Sequence, residues 1–377
     1  MQQKQEMKLR KCANRDGGFW QFIAKKGRPY WQREERYRLN WYLENGKDSD
    51  IVISSRIRLA RNIKEFPFKI KMTKEDKNKL LEKVKFITPS IGYGLKFLYL
   101  KDMDDITKMS LVEKHILSPE MALKKEQDGA ILINDEENIC IMLNEEDHIR
   151  LQVFASGLDL QNTLNLAVEI DEKLDELLGF SASEKYGFLT ACPTNVGTGL
   201  RASVMVHLPA LKMTENLNKL LHIVNSFGMT IRGAYGEESK AKSDIYQISN
   251  NQTLGITEKE IVTNLENITK KVMEQERLAR KYLAKNSDDL EDKVYRSYGI
   301  LTNARKLTSE ECDNLLSDIK LGTDLGIIEE LDDSKVKELM LYTKPANLQK
   351  KVGKLLDANE RDKSRAEVIK QIIKGDK

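Results

Sequence analysis

The pattern of hydrophobic and polar positions divides the chain into two parts. In the first part, strand-like runs of β-branched, leucine and aromatic residues lie at 54–59, 94–100, 129–134, 139–143, 203–208 and 245–249, and another ends at Thr190. Amphipathic helices are predicted between them at 73–87, 159–178 and 214–226. From about residue 258 the helical pattern is nearly unbroken, with stops near Asn286, Gly322 and Pro345. Strands mixed with helices, followed by helices alone, predict an α+β domain and then a smaller all-helical domain.

These patterns predict three segments: an extension at 1–40, an α+β domain at 41–285 and a helical domain at 286–377. The extension holds 11 Lys and Arg against 4 Asp and Glu, a net charge of +7 in a chain whose total is +3. Charge runs of this kind are usually solvated, so we expect a poorly ordered tail rather than a nucleic-acid-binding arm.

Composition indicates a globular protein of a reducing compartment. No apolar run approaches the roughly 18 residues that a membrane span needs, and the basic N-terminus lacks the apolar core of a signal peptide. Four cysteines are far apart and form no CxxC pair, which argues against a zinc site or a disulfide framework. We therefore expect a cytoplasmic protein without a membrane partner.

A short strand near the start of the α+β domain carries two arginines. Alternation places Ser54, Arg56 and Arg58 on one face, while Ile57 and Leu59 share the other. Two guanidiniums on one polar face can clamp an anion such as phosphate. The alternative is a solvated basic edge strand.

The acidic segment NEEDHIR, residues 144–150, follows an apolar strand. If the strand continues, Glu146 and Arg150 share a face and Glu145 points to the other. A carboxylate on the face of Arg150 could orient a guanidinium and remove its proton. The alternative is an acidic loop at the end of the strand.

Turn residues and a cysteine precede another arginine in the segment ACPTNVGTGLRASVM, residues 191–205. The glycines specify a loop whose backbone can approach a ligand closely, and Arg201 offers a planar fork for phosphate oxygens. The segment also fits the G-x-G-x-x-A dinucleotide fingerprint, but that motif requires a helix where 203–208 alternates like a strand. Cys192 is either a small buried apolar residue or a thiolate near a cationic substrate.

Two further features are weaker. Arg232 is followed by Gly233 and Gly236, which suits a flexible loop that carries an arginine to phosphate and Glu237 to a cation; the alternative is a surface loop. His115 lies on a mixed face, and a lone histidine is more often structural than functional.

In their order and content, these segments resemble the phosphagen (guanidino) kinase family over about residues 48–280. The resemblance implies the antiparallel-sheet catalytic domain of glutamine synthetase and guanidino kinase type. It implies that Glu146 is the catalytic base, and we expect Cys192 and Glu237 beside the acceptor guanidinium. The implied nucleotide contacts are Ser54, Ser55, Arg56, Ile57, Arg58, His115, Arg150, Arg201, Ala202, Ser203, Val204, Met205, Arg232, Gly233, Ala234, Tyr235, Gly236 and Glu237.

The implied reaction is transfer of the ATP γ-phosphoryl group to a guanidinium nitrogen. Arginines would replace the usual lysine and P-loop amides around the transferred group. Mg²⁺ should bridge the β and γ oxygens. Because this ion prefers water and phosphate ligands, no protein ligand is assigned to it.

The two ends of the chain distinguish it from the kinases of free guanidino metabolites. Those enzymes carry a helical domain before the serine–arginine strand, whereas here about 50 unrelated residues precede it and a helical region follows. Both features resemble the bacterial protein arginine kinase branch of the family. That branch phosphorylates arginine side chains and marks proteins for a Clp protease. It implies protein substrates with exposed arginines, an activator protein, a Clp ATPase partner and a homo-oligomer through the helical domain.

The helical region also contains ERDKSRA, residues 360–366, which resembles the RDxxRA phosphoarginine-binding motif of that branch. Arg361 and Arg365 are four residues apart and share a helix face, with Asp362 close by. The resemblance implies that these residues and Ala366 bind phosphoarginine, with Arg365 on the phosphate and Asp362 on the guanidinium. The alternative is an ordinary exposed charged face.

Two other functions stay open from the sequence. One is a free-guanidine phosphagen kinase, against which the absent N-terminal helical domain counts. The other is a catalytically inactive regulator that binds partners, against which the intact arginine set and Glu146 count.

Overall fold

The computed structural model describes residues 40–126, 128–233 and 242–374. Its centre is an eight-stranded antiparallel sheet in the spatial order β2-β3-β4-β5-β1-β8-β10-β9, and β6 and β7 form a separate small hairpin. The strands are β1 Val52–Arg61, β2 Lys96–Tyr99, β3 Ala130–Ile133, β4 Ile139–Leu143, β5 Ile149–Ser156, β6 Ala182–Ser183, β7 Gly187–Phe188, β8 Leu200–His207, β9 Met229–Gly233 and β10 Ile245–Asn250. The predicted antiparallel α+β architecture is confirmed.

Helices cover the sheet and form the whole region after it. They are α1 Asn40–Leu43, α2 Lys74–Ile91, α3 Asp105–Glu113, α4 Pro119–Leu123, α5 Leu160–Leu178, α6 Pro209–Met213, α7 Leu217–Ser226, α8 Glu258–Leu283, α9 Ser287–Asn303, α10 Ser309–Asp324, α11 Asp333–Tyr342, α12 Pro345–Val352 and α13 Ala358–Lys374. No helix in these described ranges is both long and apolar enough to cross a bilayer.

The two faces of the sheet differ in chemistry. Ile57 and Leu59 of β1 point to an apolar face that packs against α5 and α8 and forms the main core. On the opposite face a second apolar cluster, which includes Trp41, Met142 and Phe154, covers the β2–β5 end. The rest of that face, from β5 to β9, carries mostly polar side chains, with Met205 and Ile245 among them.

The helical region after α8 has its own core, built around residues such as Val294, Leu316 and Ile369. The predicted helix stop near Gly322 is confirmed to within two residues, because α10 runs through this glycine and ends at Asp324. A side chain at this position would collide with Val294 of α9, so the glycine permits two helices to pack closely.

Buried ion pairs join the helical region to the sheet domain. Lys320 of α10 donates to Asp324 and Asp333 at 3.0 and 2.9 Å. Arg280 of α8 bonds to Glu276 at 2.9 Å and to Asp324 at 3.2 Å. Each charge therefore has a partner of opposite sign, as buried charges require.

Candidate active site

Five arginines from four strands lie on the polar face of the sheet. Arg58 is opposite Arg201 of β8 and opposite Gln152 of β5, two residues from Arg150. Arg56 is opposite Ser203 on β8, and the register through β10 brings the fifth arginine, on β9, to the same face. Strand β1 lies between β5 and β8, so the alternative of a basic edge strand is wrong.

Mutual repulsion characterises this arginine face. Burial and the charges of Arg150 and Arg201 lower the pKa of Arg56 to about 9. Burial and the charges of Arg56, Arg150 and Arg201 lower the pKa of Arg58, while Glu145 opposes the shift. The Arg58 Nε atom is buried without a hydrogen-bond acceptor among the described residues. A polyanion such as a triphosphate would relieve the repulsion and supply acceptors.

The β4–β5 connection corrects the predicted geometry of the acidic segment. Strand β4 ends at Leu143, and Asn144 takes a left-handed conformation (φ 59°) that turns the chain into a hairpin loop. The loop alternative is therefore right. Glu145, not Glu146, pairs with Arg150, at 2.7 Å. Glu146 is exposed at the loop tip beside this pair.

The pKa values of the two glutamates are shifted in opposite directions. Partial desolvation and the carboxylates of Asp147 and Glu145 raise the pKa of Glu146. The pKa of Glu145 is lowered despite its burial, because Arg150 and the Glu146 backbone N–H stabilise its charged form. Glu145 thus stays ionised as a structural partner, whereas Glu146 has the more basic carboxylate that a general base needs.

Asp147 is a site residue that sequence reasoning missed. It is buried and accepts hydrogen bonds from Asn62 Nδ2 and from the Ala191 backbone N–H, both at 2.6 Å. His148 is held by Ile63 N–H, which donates to Nδ1, and by a bond from Nε2 to the Pro67 carbonyl. The bond from Ala191 places the 144–148 loop against the loop that carries the cysteine, and the other bonds hold it against the segment that follows β1. The polar NEEDH run after an apolar strand was the available signal.

Cys192 lies at the start of a 3-10 turn, Pro193–Asn195. It is half-buried, with Sγ 3.0 Å from Thr194 Oγ1, so the alternative of a buried apolar residue is wrong. The glycines that follow, Gly197 and Gly199, allow the loop to pack closely against neighbouring segments. A Cβ at Gly199 (φ 62°) would lie 2.5 Å from Arg61 NH1 and 2.7 Å from the Ala60 carbonyl oxygen.

Alternation separates the predicted nucleotide contacts into two groups. Ser54, Ser203 and Met205 share the polar face with the arginines. The side chains of the other group point to the opposite face and are fully buried, so only the backbone of these residues is available to a nucleotide: Ser55, Ile57, Ala202 and Val204. Gly233 ends β9 beside Arg232. The remaining predicted residues, Ala234, Tyr235, Gly236 and Glu237, lie outside the described residues.

A cleft adjoins Arg56. His115, in a left-handed conformation (φ 60°) after α3, lines this cleft with Ser54 and Met205. Burial, with Arg56 and Lys344 nearby, lowers the pKa of His115 to about 3. The imidazole is therefore neutral near pH 7 and can contact an uncharged part of a ligand.

The RDxxRA residues lie on α13, and their arginines are not an exposed charged face. Arg361 and Ala366 are buried, and the Arg365 side chain is 1% exposed. Arg365 donates to the carbonyls of Thr343 and Leu307, to Asp362 Oδ1 at 2.7 Å and to Ser309 Oγ at 2.8 Å. These bonds engage four of its five N–H donors.

Comparison with known proteins agrees with this geometry. The ATP:guanido phosphotransferase C-terminal catalytic domain matches residues 80–279, and the C-terminal domain of protein-arginine kinase McsB matches 287–377. A protein-arginine kinase from Halothermothrix orenii is 48% identical over 333 residues, 88% of this chain and 95% of the relative. One from Halalkalibacterium halodurans is 45% identical over 338 residues, 89% and 95% of the two chains. The chain belongs to the protein-arginine kinase family.

Membership of this family makes the chain an ATP-dependent phosphotransferase. Among solved structures, the duplicated taurocyamine kinase of Schistosoma mansoni with bound transition state analog components matches with a TM-score of 0.56 and 27% identity. That match covers 69% of this chain and 37% of the duplicated enzyme. The guanidino kinase fold expected from the sequence is thus confirmed.

Proposed function

We propose that this chain transfers the γ-phosphoryl group of ATP to arginine side chains of proteins. The observation that carries the proposal is the arginine face, which ends at the loop with Glu145 and Glu146. A triphosphate needs cations around it and an acceptor guanidinium needs carboxylates, and this surface offers both side by side. Relatives that bear the name protein-arginine kinase and align with most of the chain support a protein acceptor.

At the phosphate end, Arg58, Arg150 and Arg201 hold the triphosphate and oppose the charge that spreads over the transferred group. Among the described residues, no group of three or more His, Cys, Asp or Glu side chains is placed to hold a metal ion. The arginine face suits Mg·ATP, in which the ion keeps phosphate and water ligands. Mg²⁺, when bound, supplies neutralisation of the phosphate oxygens.

At the acceptor end, a protonated guanidinium is a poor nucleophile. Glu146 orients it and accepts its proton as the N–P bond forms and the bond from the γ-phosphorus to the ADP oxygen breaks. Glu145 keeps Arg150 in place for the phosphate. We assign Cys192 and Glu237 to the surroundings of the guanidinium, where a thiolate or carboxylate stabilises the cation.

The helical domain, from residue 286 onward, extends the proposal. Arg361, Asp362, Arg365 and Ala366 form a phosphoarginine pocket, in which a ligand replaces the Asp362–Arg365 pair with equivalent charge contacts. The same domain forms a homo-oligomer. An activator protein acts before the phosphorylation step and a Clp ATPase acts after it, both in the cytoplasm.

The proposal is tested by incubating an unrelated protein that has exposed arginines with this chain and Mg·ATP, followed by intact-mass analysis. We expect an acid-labile gain of one phosphoryl mass, localised to arginine by fragmentation. Phosphorylation of free arginine without any protein product would establish the phosphagen kinase function instead. Absence of both products from a folded, nucleotide-binding chain would identify an inactive regulator.

A further inference from the structure

The cleft beside Arg56 is built from both domains. Ser54, His115 and Met205 line it from the sheet domain, and Asp313, Leu341 and Lys344 line it from the helical domain. Lys344 Nζ lies 2.7 Å from Asp313 Oδ1, so an ion pair forms part of the helical wall. The Asp313 side chain is 8% exposed and that of Lys344 15% exposed, which places this pair inside the cleft wall rather than on the outer surface.

The position of the cleft along β1 indicates which part of a nucleotide it would receive. Ser54 and Arg56 border it, whereas Arg58 lies further along the strand towards the Glu145–Arg150 pair. Residues two apart on a strand are separated by about 6.6 Å. If the phosphates lie at Arg58 and extend towards Glu146, the nucleoside extends in the opposite direction, into the cleft.

A carboxylate clamp fixes the two walls relative to one another. Glu113, at the end of α3, accepts hydrogen bonds from the backbone N–H groups of Ala346 and Asn347, at 2.7 and 2.8 Å. It thereby caps α12, whose preceding residue is Lys344. His115 follows Glu113 by two residues. The hydrogen bonds of Glu113 therefore connect the wall of the cleft that contains His115 directly to the wall that contains Lys344.

We propose that the helical domain supplies one wall of the nucleotide site, where the Lys344–Asp313 pair contacts the ribose hydroxyls of ATP and Leu341 packs against the base. An ammonium and a carboxylate side by side can donate to and accept from vicinal hydroxyls. Nucleotide binding and docking of the helical domain then stabilise one another, since each is tighter when the other is present. This inference rests on the proposed nucleotide site.

The test compares two double variants with unchanged net charge. Lys344→Met with Asp313→Asn removes the pair in the cleft. Lys351→Met with Glu338→Gln removes a pair on the same helical domain, 3.5 Å apart and outside the cleft. Calorimetry measures Mg·ADP and inorganic tripolyphosphate, which has the phosphates without a nucleoside.

We expect the cleft variant to raise the Kd of Mg·ADP about tenfold, equivalent to about 1.4 kcal/mol, and to leave the Kd of tripolyphosphate unchanged. The control variant should change neither. A folded cleft variant with wild-type Mg·ADP affinity, or one that loses both ligands equally, overturns the inference. If the wild-type protein phosphorylates arginine but the cleft variant binds Mg·ADP with wild-type affinity, only this inference is contradicted. The proposed function then stands.

Hydrogen exchange of the wild-type protein keeps the test independent of variant folding. Mg·ADP should slow amide exchange in α12 and at Lys344, whereas tripolyphosphate should not. Equal protection by both ligands, or none from Mg·ADP at saturating concentration, would argue against a nucleoside contact with the helical domain.

Discussion

Glu145 and Glu146 are adjacent in the β4–β5 loop, yet substitution of each by glutamine should change different kinetic constants. Glu145→Gln removes the carboxylate that pairs with Arg150 at 2.7 Å. Glu146→Gln leaves that pair intact and removes the exposed carboxylate with the raised pKa. Both variants lose one negative charge and keep the side-chain shape, so each serves as the control for the other.

The expected magnitudes follow from these surroundings. A general base contributes about 10²–10⁴ in rate, or about 3–5 kcal/mol, which Glu146→Gln should remove from kcat. The Glu145 and Arg150 side chains are 6% and 23% exposed, so the pair is mostly buried. Loss of one partner of a buried pair costs about 3–5 kcal/mol, and the exposed edge of Arg150 places this pair near the lower figure. That loss should appear as a higher KM for Mg·ATP and as a lower free energy of unfolding.

The assay is the pH dependence of phosphoryl transfer to a protein substrate at saturating Mg·ATP. Because the pKa of Glu146 is raised in the free enzyme, the acid limb of kcat/KM for the protein substrate should lie above the ordinary glutamate range, with kcat/KM rising as the carboxylate loses its proton. Glu146→Gln should abolish this limb, and Glu145→Gln should retain it. Near-normal kcat in Glu146→Gln, or an equal fall in kcat with unchanged KM in Glu145→Gln, would refute the assignment of roles.

Three further predictions concern charge. Arg201→Lys should raise the Kd of Mg·ADP about tenfold in calorimetry, because a point charge replaces a fork; unchanged affinity would make Arg201 merely structural. Arg365→Ala should destabilise the helical domain by about 3 kcal/mol or more in urea unfolding, because this arginine is buried with its hydrogen-bond partners. Arg296→Ala, at an exposed ion pair, should cost under about 1 kcal/mol. Equal losses in the two variants would contradict the role of burial. The pKa of Glu113 is raised by burial to about 7 from 4.5, so its contribution to unfolding free energy is present at low pH and falls by about 3 kcal/mol as pH rises through this interval. Glu113→Gln should remove that slope, and an unaltered stability profile would exclude Glu113 as its source.

Local periodicity was sufficient to predict the arginine strand. Because side chains alternate along a strand, the positions of Arg56 and Arg58 follow from sequence spacing alone, and the structure places them together. The helix at 159–178 was predicted for the same reason and is observed as Leu160–Leu178. These features depend only on residues close in sequence.

The acidic loop shows where periodicity fails. Its geometry depends on β4 pairing with β5, which forces a turn at Asn144 instead of a continued strand. Asparagine tolerates the left-handed conformation, so its position was the one local signal for a turn. The pairing of Arg150 with Glu145 instead of Glu146 follows from that turn.

The cleft and the buried arginine of α13 depend on contacts between distant segments. Glu113 meets Ala346 and Asn347 across more than 230 positions of sequence. Arg365 reaches Leu307 across 58 positions. No short-range pattern encodes such contacts, so the sequence could indicate a helical domain but not the side chains that it contributes to the cleft.

The hydrogen bonds of Asp147 have a consequence for how this enzyme can change by mutation. Through Asn62 and Ala191, this carboxylate joins the end of β1, the β4–β5 loop and the cysteine loop. A substitution in any one of these segments shifts a shared anchor, so pairs of substitutions across them should show strongly non-additive effects. Evolutionary or laboratory variation of acceptor preference would then proceed through coordinated changes in the three segments.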